Sequence, residues 1–142
     1  MSRIGPIIIA EDDPDDQEIL KEVFQSLSIK NELKFFDNGE DVLTYLRTTT
    51  DKPFLIISDV NLHRMTGLEL RKIIHDNEFL RRKSIPFVFL TTSSDHVAIM
   101  RAYEMMVQGY FKKENNFRQI QNCIRMIVEY WMICRHPNSD VV

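Results

Sequence analysis

Five short apolar runs alternate with longer stretches of helical spacing, and this alternation constrains the fold of the 142-residue chain more than any other feature. The runs are Ile7–Ala10, Leu33–Phe36, Phe54–Ile57, Phe87–Leu90 and Val107–Phe111. Between the first two, Leu20, Val23, Phe24 and Leu27 follow i, i+3, i+4, i+7 spacing, which places them on one helix face. Pro53 and Pro86 each stand just before a run, where a missing amide is tolerated. Strands that alternate with helices predict a parallel sheet with helices on both faces.

The runs that start at Ile7, Phe54 and Phe87 are continuously apolar, as strands buried on both faces are. The segments Glu32–Phe36 and Val107–Lys112 admit Lys34, Gln108, Gly109 and Lys112, and read as edge strands. Edges at the second and fifth positions give the order 2-1-3-4-5, an α/β flavodoxin-like three-layer sandwich with five helices. Helix starts agree with this division. Asp13 before Pro14 is an N-cap with a proline at the first helical position, and Asp16 falls in the first turn. Asp37 with Glu40 reads as a variant capping box, and Ser93-Ser94-Asp95 and Asn115-Asn116 open two later helices.

Ligands in an open α/β sheet sit beyond the carboxyl ends of the strands. Glu11, Asp12 and Asp13 follow the first run; Ser58, Asp59, Val60 and Asn61 follow the third. Thr91, Thr92 and Ser93 follow the fourth, and Lys112 and Lys113 the fifth. Carboxylates and hydroxyls thus gather at one edge with a lysine. Two carboxylates ~4 Å apart repel by about 4 kcal/mol at an effective dielectric of 20, so such an edge calls for a cation. Mg²⁺ suits it, because it takes one or two carboxylates, keeps waters and accepts phosphate oxygens. An aspartate in this setting can also be a nucleophile that forms an aspartyl phosphate.

Each residue also has a plainer reading. Asp13 is better placed as a cap than as a ligand. Glu11 and Asp12 read equally as ligands or as solvated acids, Asp59 as a turn cap before the Thr66-Gly67 helix start, Thr91 as a β-branched strand residue, and Lys113 as a solvated edge lysine. Their joint appearance after successive strands favours the functional reading. His63, His75, His96 and His136 lack metal-ligand spacing, and neither GxGxxG nor GxxxxGK[ST] occurs. Arg71-Lys72 and Arg81-Arg82-Lys83 read as a solvated helix face.

The chain resembles the receiver domain of two-component response regulators. The resemblance rests on Glu11-Asp12-Asp13 after Ile8-Ile9-Ala10, on Leu55 through Leu62 with Met65 and Gly67, on Pro86 through Thr91, and on Gly109-Tyr110-Phe111-Lys112-Lys113. It runs from about Ile7 to Ile127. It implies that Asp59 is the phosphoacceptor, that Glu11 and Asp12 are the acidic pair for Mg²⁺ with Asp12 the more direct ligand, and that Asn61 lends a backbone carbonyl. It further implies that Thr91 and Lys113 hold phosphoryl oxygens, that Tyr110 is the aromatic of the switch, rotating inward as Thr91 is drawn to the phosphoryl group, and that Asn61 and Ser93 tune dephosphorylation. The implied partner is a sensor histidine kinase or phosphotransfer protein.

Four positions depart from the family pattern. His63 stands where proline is frequent, Thr66 where aspartate is, Thr92 where a small alanine is usual, and Glu114 where a proline with a cis peptide usually follows the lysine. The last leaves the path of Lys113 to Asn116 open. Glu129-Tyr130-Trp131 with Pro137 is similar to the extended last helix of stand-alone receivers paired with bacterial phytochromes.

Composition sets outer bounds. The chain is 44% hydrophobic and 27% charged, with net charge −3, which argues against a wholly basic nucleic-acid binder. No apolar run approaches the ~20 residues of a membrane span. Cytoplasmic location and a single domain (1–142, core about 5–128, last helix and tail 129–142) are the expectation, with no room left for a separate output domain.

On the last helix, Cys123, Ile124, Ile127, Trp131 and Cys134 share one face. The two cysteines, ~16 Å apart if both are helical, cannot bond to each other. Met126, Tyr130 and Ile133 widen the apolar arc beyond one packing face, so Met126, Tyr130, Trp131 and Ile133 are candidates for a homodimer surface. The fourth strand, the helix after it and the fifth strand form the second candidate surface. Two other functions remain: a receiver-like interaction module that is never phosphorylated, and a Mg²⁺-dependent phosphatase with an aspartate nucleophile. The latter needs an acid two residues after the nucleophile, where this chain has Asn61.

Overall fold

The structure, a computed structural model, describes residues 2–135. A short 3₁₀ turn at Ser2–Ile4 leads into five strands: β1 (Ile7–Ala10), β2 (Leu33–Phe36), β3 (Leu55–Ser58), β4 (Phe87–Thr91) and β5 (Gly109–Lys112). All pair in parallel in the order β2-β1-β3-β4-β5, as the apolar runs predict. Register aligns Ala10 with Ser58, Ser58 with Phe89, and Thr91 with Lys112, so the carboxyl ends form one edge. β2 and β5 are the edges: β2 is half-buried and β5 runs from buried Gly109 to exposed Lys112, while β1, β3 and β4 are buried throughout.

The period of two along β1 divides the core. Ile8 and Ala10 face a layer with Val42, Leu46, Leu70, Phe89 and Ala102. Ile7 and Ile9 face the opposite layer with Leu20, Val23, Phe24, Ile120 and Ile124. Each of the Val, Leu, Ile and Phe side chains among them stabilises the fold by about 1.5–3 kcal/mol through burial. The second layer is built by α1 (Pro14–Ser26) and α6 (Phe117–Ile133), the first by α2 (Gly39–Thr48), α3 (Gly67–Asp76), α4 (Glu78–Arg81) and α5 (His96–Glu104).

Among the described residues, six α-helices stand where five were expected. The addition is the single turn α4, and Asn77 creates it. Its extended backbone stops α3, and its side chain accepts from the Leu80 amide at 3.0 Å, starting a new turn that buries Leu80. A second correction concerns α2. Its N-cap is Asn38, not Asp37: the Asn38 side chain accepts from the Asp41 amide at 2.9 Å and donates to the Asp41 carboxylate at 2.9 Å. The reciprocal box lies one residue further on, because an amide both accepts and donates where a carboxylate only accepts. The other caps fall as read, on Asp13, Thr66, Asp95 and Asn116.

Arg71 is a third correction. It is buried, 7% exposed, rather than solvated. Its Nε and Nη2 donate to the carbonyls of Met105 and Met106, both at 2.9 Å, in the turn that ends α5. Its guanidinium lies 5.4 Å from the Phe87 ring centroid. Met106 has φ 60°, and this left-handed turn leaves carbonyls that a cation from α3 satisfies. On α6, Ile120, Ile124, Ile127 and Val128 are buried, with Cys123 and Trp131 half-buried beside them. Cys134 leaves the expected face because the helix ends at Ile133 and Cys134 turns extended. Met126, Tyr130 and Ile133 are exposed. His136 and Pro137 lie outside the described residues.

Candidate functional site

The sheet ladder continues one residue beyond three strands, and this fixes the site. The Glu11 amide donates to Phe36, Asp59 to Ala10 and Lys113 to Thr91, at 2.9, 2.9 and 2.7 Å. Glu11, Asp59 and Lys113 are therefore set by backbone pairing, not by loop conformation. Asp59 is 8% exposed, Glu11 2%, Thr91 0% and Lys113 9%. These four side chains meet. The Thr91 hydroxyl donates to Asp59 Oδ1 at 2.7 Å, and the Asn61 amide donates to the same oxygen at 3.0 Å. Asp59 thus also braces the turn after β3, as its plainer reading had it.

Lys113 Nζ donates to Asp59 Oδ2 at 3.0 Å, to Glu11 Oε1, and to Asp16 Oδ2 at 3.0 Å. Three N–H groups meet three carboxylates. The Glu114 departure does not divert the lysine, and there is no cis peptide bond among the described residues. Asp16 is the functional-site residue that sequence reasoning missed. It reads as a first-turn acid of α1, and the signal available was its place five residues after Glu11 on a helix that begins at the site.

Asp12 is half-buried, and His63 Nδ1 approaches its Oδ2 to 3.9 Å from an exposed position. Asn61 and Thr92 are exposed. Ser93 is half-buried, its amide donating to Thr91 Oγ1 at 3.2 Å. The Tyr110 hydroxyl donates to the Ser93 carbonyl at 2.8 Å, while its ring lies against Phe89 with centroids 5.8 Å apart. Burial raises the phenol's pKa and keeps it a donor. Thr91, Ser93 and Tyr110 thereby form a chain of contacts from Asp59 to β5.

Electrostatics follow from burial. Desolvation pushes the Glu11 carboxyl up from 4.5 to about 7, against the opposing hydrogen bond and charge of Lys113. For Lys113, desolvation alone would lower the pKa; the Glu11 hydrogen bond and the charges of Glu11 and Asp59 outweigh it and raise it. A carboxyl whose folded pKa exceeds its unfolded value holds its proton more tightly when folded. Its contribution to stability is full below about 4.5 and is lost as pH rises to about 7. Without added cations, the wild type is therefore expected to lose stability relative to Glu11→Gln between pH 5 and pH 7, read as urea midpoints. A constant difference across that window excludes the buried acid as the cause.

A divalent cation fits the donor set. Glu11, Asp12 and Asp59 offer hard carboxylate oxygens, Asn61 can add a backbone carbonyl, and Lys113 is the cation that now neutralises the buried acids. Among the described residues, no three His, Cys, Asp or Glu side chains form a ready-made metal cage. Mg²⁺ needs none, since it keeps several waters and takes one or two carboxylates. No helix among the described residues is long and apolar enough to cross a membrane.

Comparison with known proteins agrees with this geometry. The family model described as response regulator receiver domain matches residues 7–125. The response regulator Rcp1 of Synechocystis sp. is 29% identical over 131 residues, covering 89% of this chain and 88% of that protein. The crystal structure of the phosphorylated cyanobacterial phytochrome response regulator RcpA superposes with a TM-score of 0.85 at 27% identity, covering 94% and 99% of the two chains. The Mn²⁺-bound form of Rcp1 superposes with a TM-score of 0.79 at 27% identity, covering 93% and 97%. The narrower likeness to phytochrome-paired receivers is thus borne out over nearly the whole length. The chain belongs to the response regulator receiver domain family.

Proposed function

We propose that the protein is a phosphorylation-operated switch in which Asp59 accepts a phosphoryl group from the phosphohistidine of a sensor kinase or phosphotransfer protein. One observation carries this: Lys113 Nζ lies within hydrogen-bond reach of both Glu11 and Asp59, while the other Asp59 oxygen takes the Thr91 hydroxyl. An Asp59 carboxylate oxygen attacks phosphorus, an O–P bond forms, and the N–P bond breaks with its electron pair left on the imidazole. The Thr91 hydroxyl and the Lys113 ammonium are charge-stabilising donors for two phosphoryl oxygens. Glu11, Asp12, Asp59 and the Asn61 carbonyl would hold a divalent cation, Mg²⁺ above all, as the Mn²⁺-bound form of Rcp1 parallels. That cation supplies positive charge for the phosphoryl oxygens.

The readout is a surface. Drawing Thr91 Oγ1 toward the new phosphoryl group disturbs its contact with the Ser93 amide, and Tyr110 holds the adjacent carbonyl. Movement there reaches β5 and α5; Val97, Met100 and Tyr103 on α5 and Met106 in the turn after it are exposed. A second copy of the chain is the proposed partner at α6 through Met126, Tyr130 and Ile133, with Trp131 half-turned into the core. Light scattering that finds only monomer at high micromolar concentration, with and without a phosphoryl mimic, removes that dimer. In this reading the protein works in the cytoplasm, the receiver binds no nucleic acid directly, and Asn61 and Ser93 set the phosphoryl lifetime.

Incubation with acetyl phosphate and Mg²⁺, followed by intact mass, tests the proposal. The wild type is expected to gain one phosphoryl group and Asp59→Asn none. Failure of the wild type under small donors and kinases alike indicates an unphosphorylated interaction module. Turnover of a free phosphoester indicates a phosphatase, against which the amide at Asn61 argues.

A further inference from the structure

We propose that Asp16 is a positioning residue that anchors the Lys113 ammonium from outside the cation pocket during phosphoryl transfer, an inference that rests on the function proposed above. Lys113 Nζ has three donors and no acceptor, and all three are engaged, by Glu11, Asp59 and Asp16. The reaction makes demands on two of these partners. Asp59 becomes an acyl phosphate and loses its charge, and Glu11 lies beside the cation. Asp16 alone keeps its charge and its place throughout.

The local structure suits an anchor. Asp16 sits in the first turn of α1, yet it takes no part in capping that helix. Asp13 does so, accepting from the Asp15 and Asp16 amides at 2.8 and 3.4 Å. Gln17 Nε2 ties the same turn to the Glu11 carbonyl at 2.6 Å. The Asp16 backbone is thus fixed from both sides, and its carboxylate is directed to Lys113. Its side chain is 32% exposed, at the rim of the buried cluster. A fourth acid, beside Glu11, Asp12 and Asp59, at a site for a dianionic donor is unfavourable in itself. Its presence is explained if it holds the ammonium where the phosphoryl oxygens arrive.

The opposing charge effect makes the sign of the test informative. If Asp16 only repels the donor, its removal accelerates phosphorylation and lowers the half-saturating concentration of acetyl phosphate. If it positions Lys113, Asp16→Ala lowers the maximal rate at saturating donor and Mg²⁺ by about tenfold. Asp16→Glu, which keeps the charge on a rim side chain with room to adjust, restores most of that rate. On this proposal Asp16 holds the lysine and is not a cation ligand, so Mn²⁺ affinity, read from the spin resonance of free Mn²⁺, stays at the wild-type value. Far-UV circular dichroism checks the fold of each variant. A faster or unchanged maximal rate in Asp16→Ala, no rescue by glutamate, or a loss of Mn²⁺ affinity that matches the loss of rate overturns the proposal. A wild type that gains no phosphoryl group overturns the functional reading itself, and this inference with it.

Discussion

Lys113→Met is expected to slow Asp59 phosphorylation by acetyl phosphate by about a hundred- to thousandfold, the scale of one lost charge-stabilising donor in a dry site. The methionine fills similar volume, so lost packing does not account for the effect. Stability should fall with a distinct pH dependence. Breaking a buried ion pair from one side costs about 3–5 kcal/mol, because a charge is left without compensation. Here the stranded group is Glu11, already pushed up to about 7 by burial with the lysine present. Without Lys113 its pKa rises further, and its contribution to stability is lost as pH climbs from about 4.5 toward that higher value. The variant is therefore closer to wild type in urea midpoint at pH 5 than at pH 8. Phosphorylation within tenfold of wild type, or an equal stability loss at both pH values, contradicts the assigned role.

Gly67→Ala is expected to destabilise the protein by about 3 kcal/mol, although alanine is the better helix former. Gly67 is the first residue of α3, and its amide donates to the Val60 carbonyl at 2.7 Å. A Cβ there would lie 2.1 Å from the Asp59 carbonyl oxygen, 2.9 Å from the Phe89 ring and 3.0 Å from Val60 Cα. Two of those neighbours are backbone and cannot rotate away. Relief requires α3 to withdraw from the residue that carries the proposed nucleophile. Phosphorylation should weaken together with stability, measured by urea midpoint and by adduct formation. A loss below about 1 kcal/mol, the usual size for an unremarkable site, means that the approach relaxes cheaply. The glycine's φ is ordinary, so closeness, not backbone freedom, sets the requirement.

Much of this was legible in the residues. Continuous apolar runs gave β1, β3 and β4, because a strand covered on both faces has no solvent side to mark. The polar residues Lys34, Gln108 and Lys112 marked the edges, since only an edge strand keeps one side wet. What was misread turned on local competition. Asn77 could continue a helix or restart one, and only the burial of Leu80 decides for the restart. Arg71 sits in a basic stretch of sequence but in the interior of the fold, because the α5 turn presents two carbonyls to it.

The sequence by itself determined the sheet order and the identity of the acids, hydroxyl and lysine at the strand ends. Those depend on period and on residue type, which are local. Tertiary structure alone decided how the residues share their bonds. Lys113 lies 54 residues from Asp59, 97 from Asp16 and 102 from Glu11 along the chain. No periodicity encodes which three carboxylates meet one ammonium, because that choice follows from the parallel register of β1 with β3 and of β4 with β5, and from α1 starting directly after β1. Asp16 is a helix-start acid in the sequence; the folded chain makes it a ligand of the lysine.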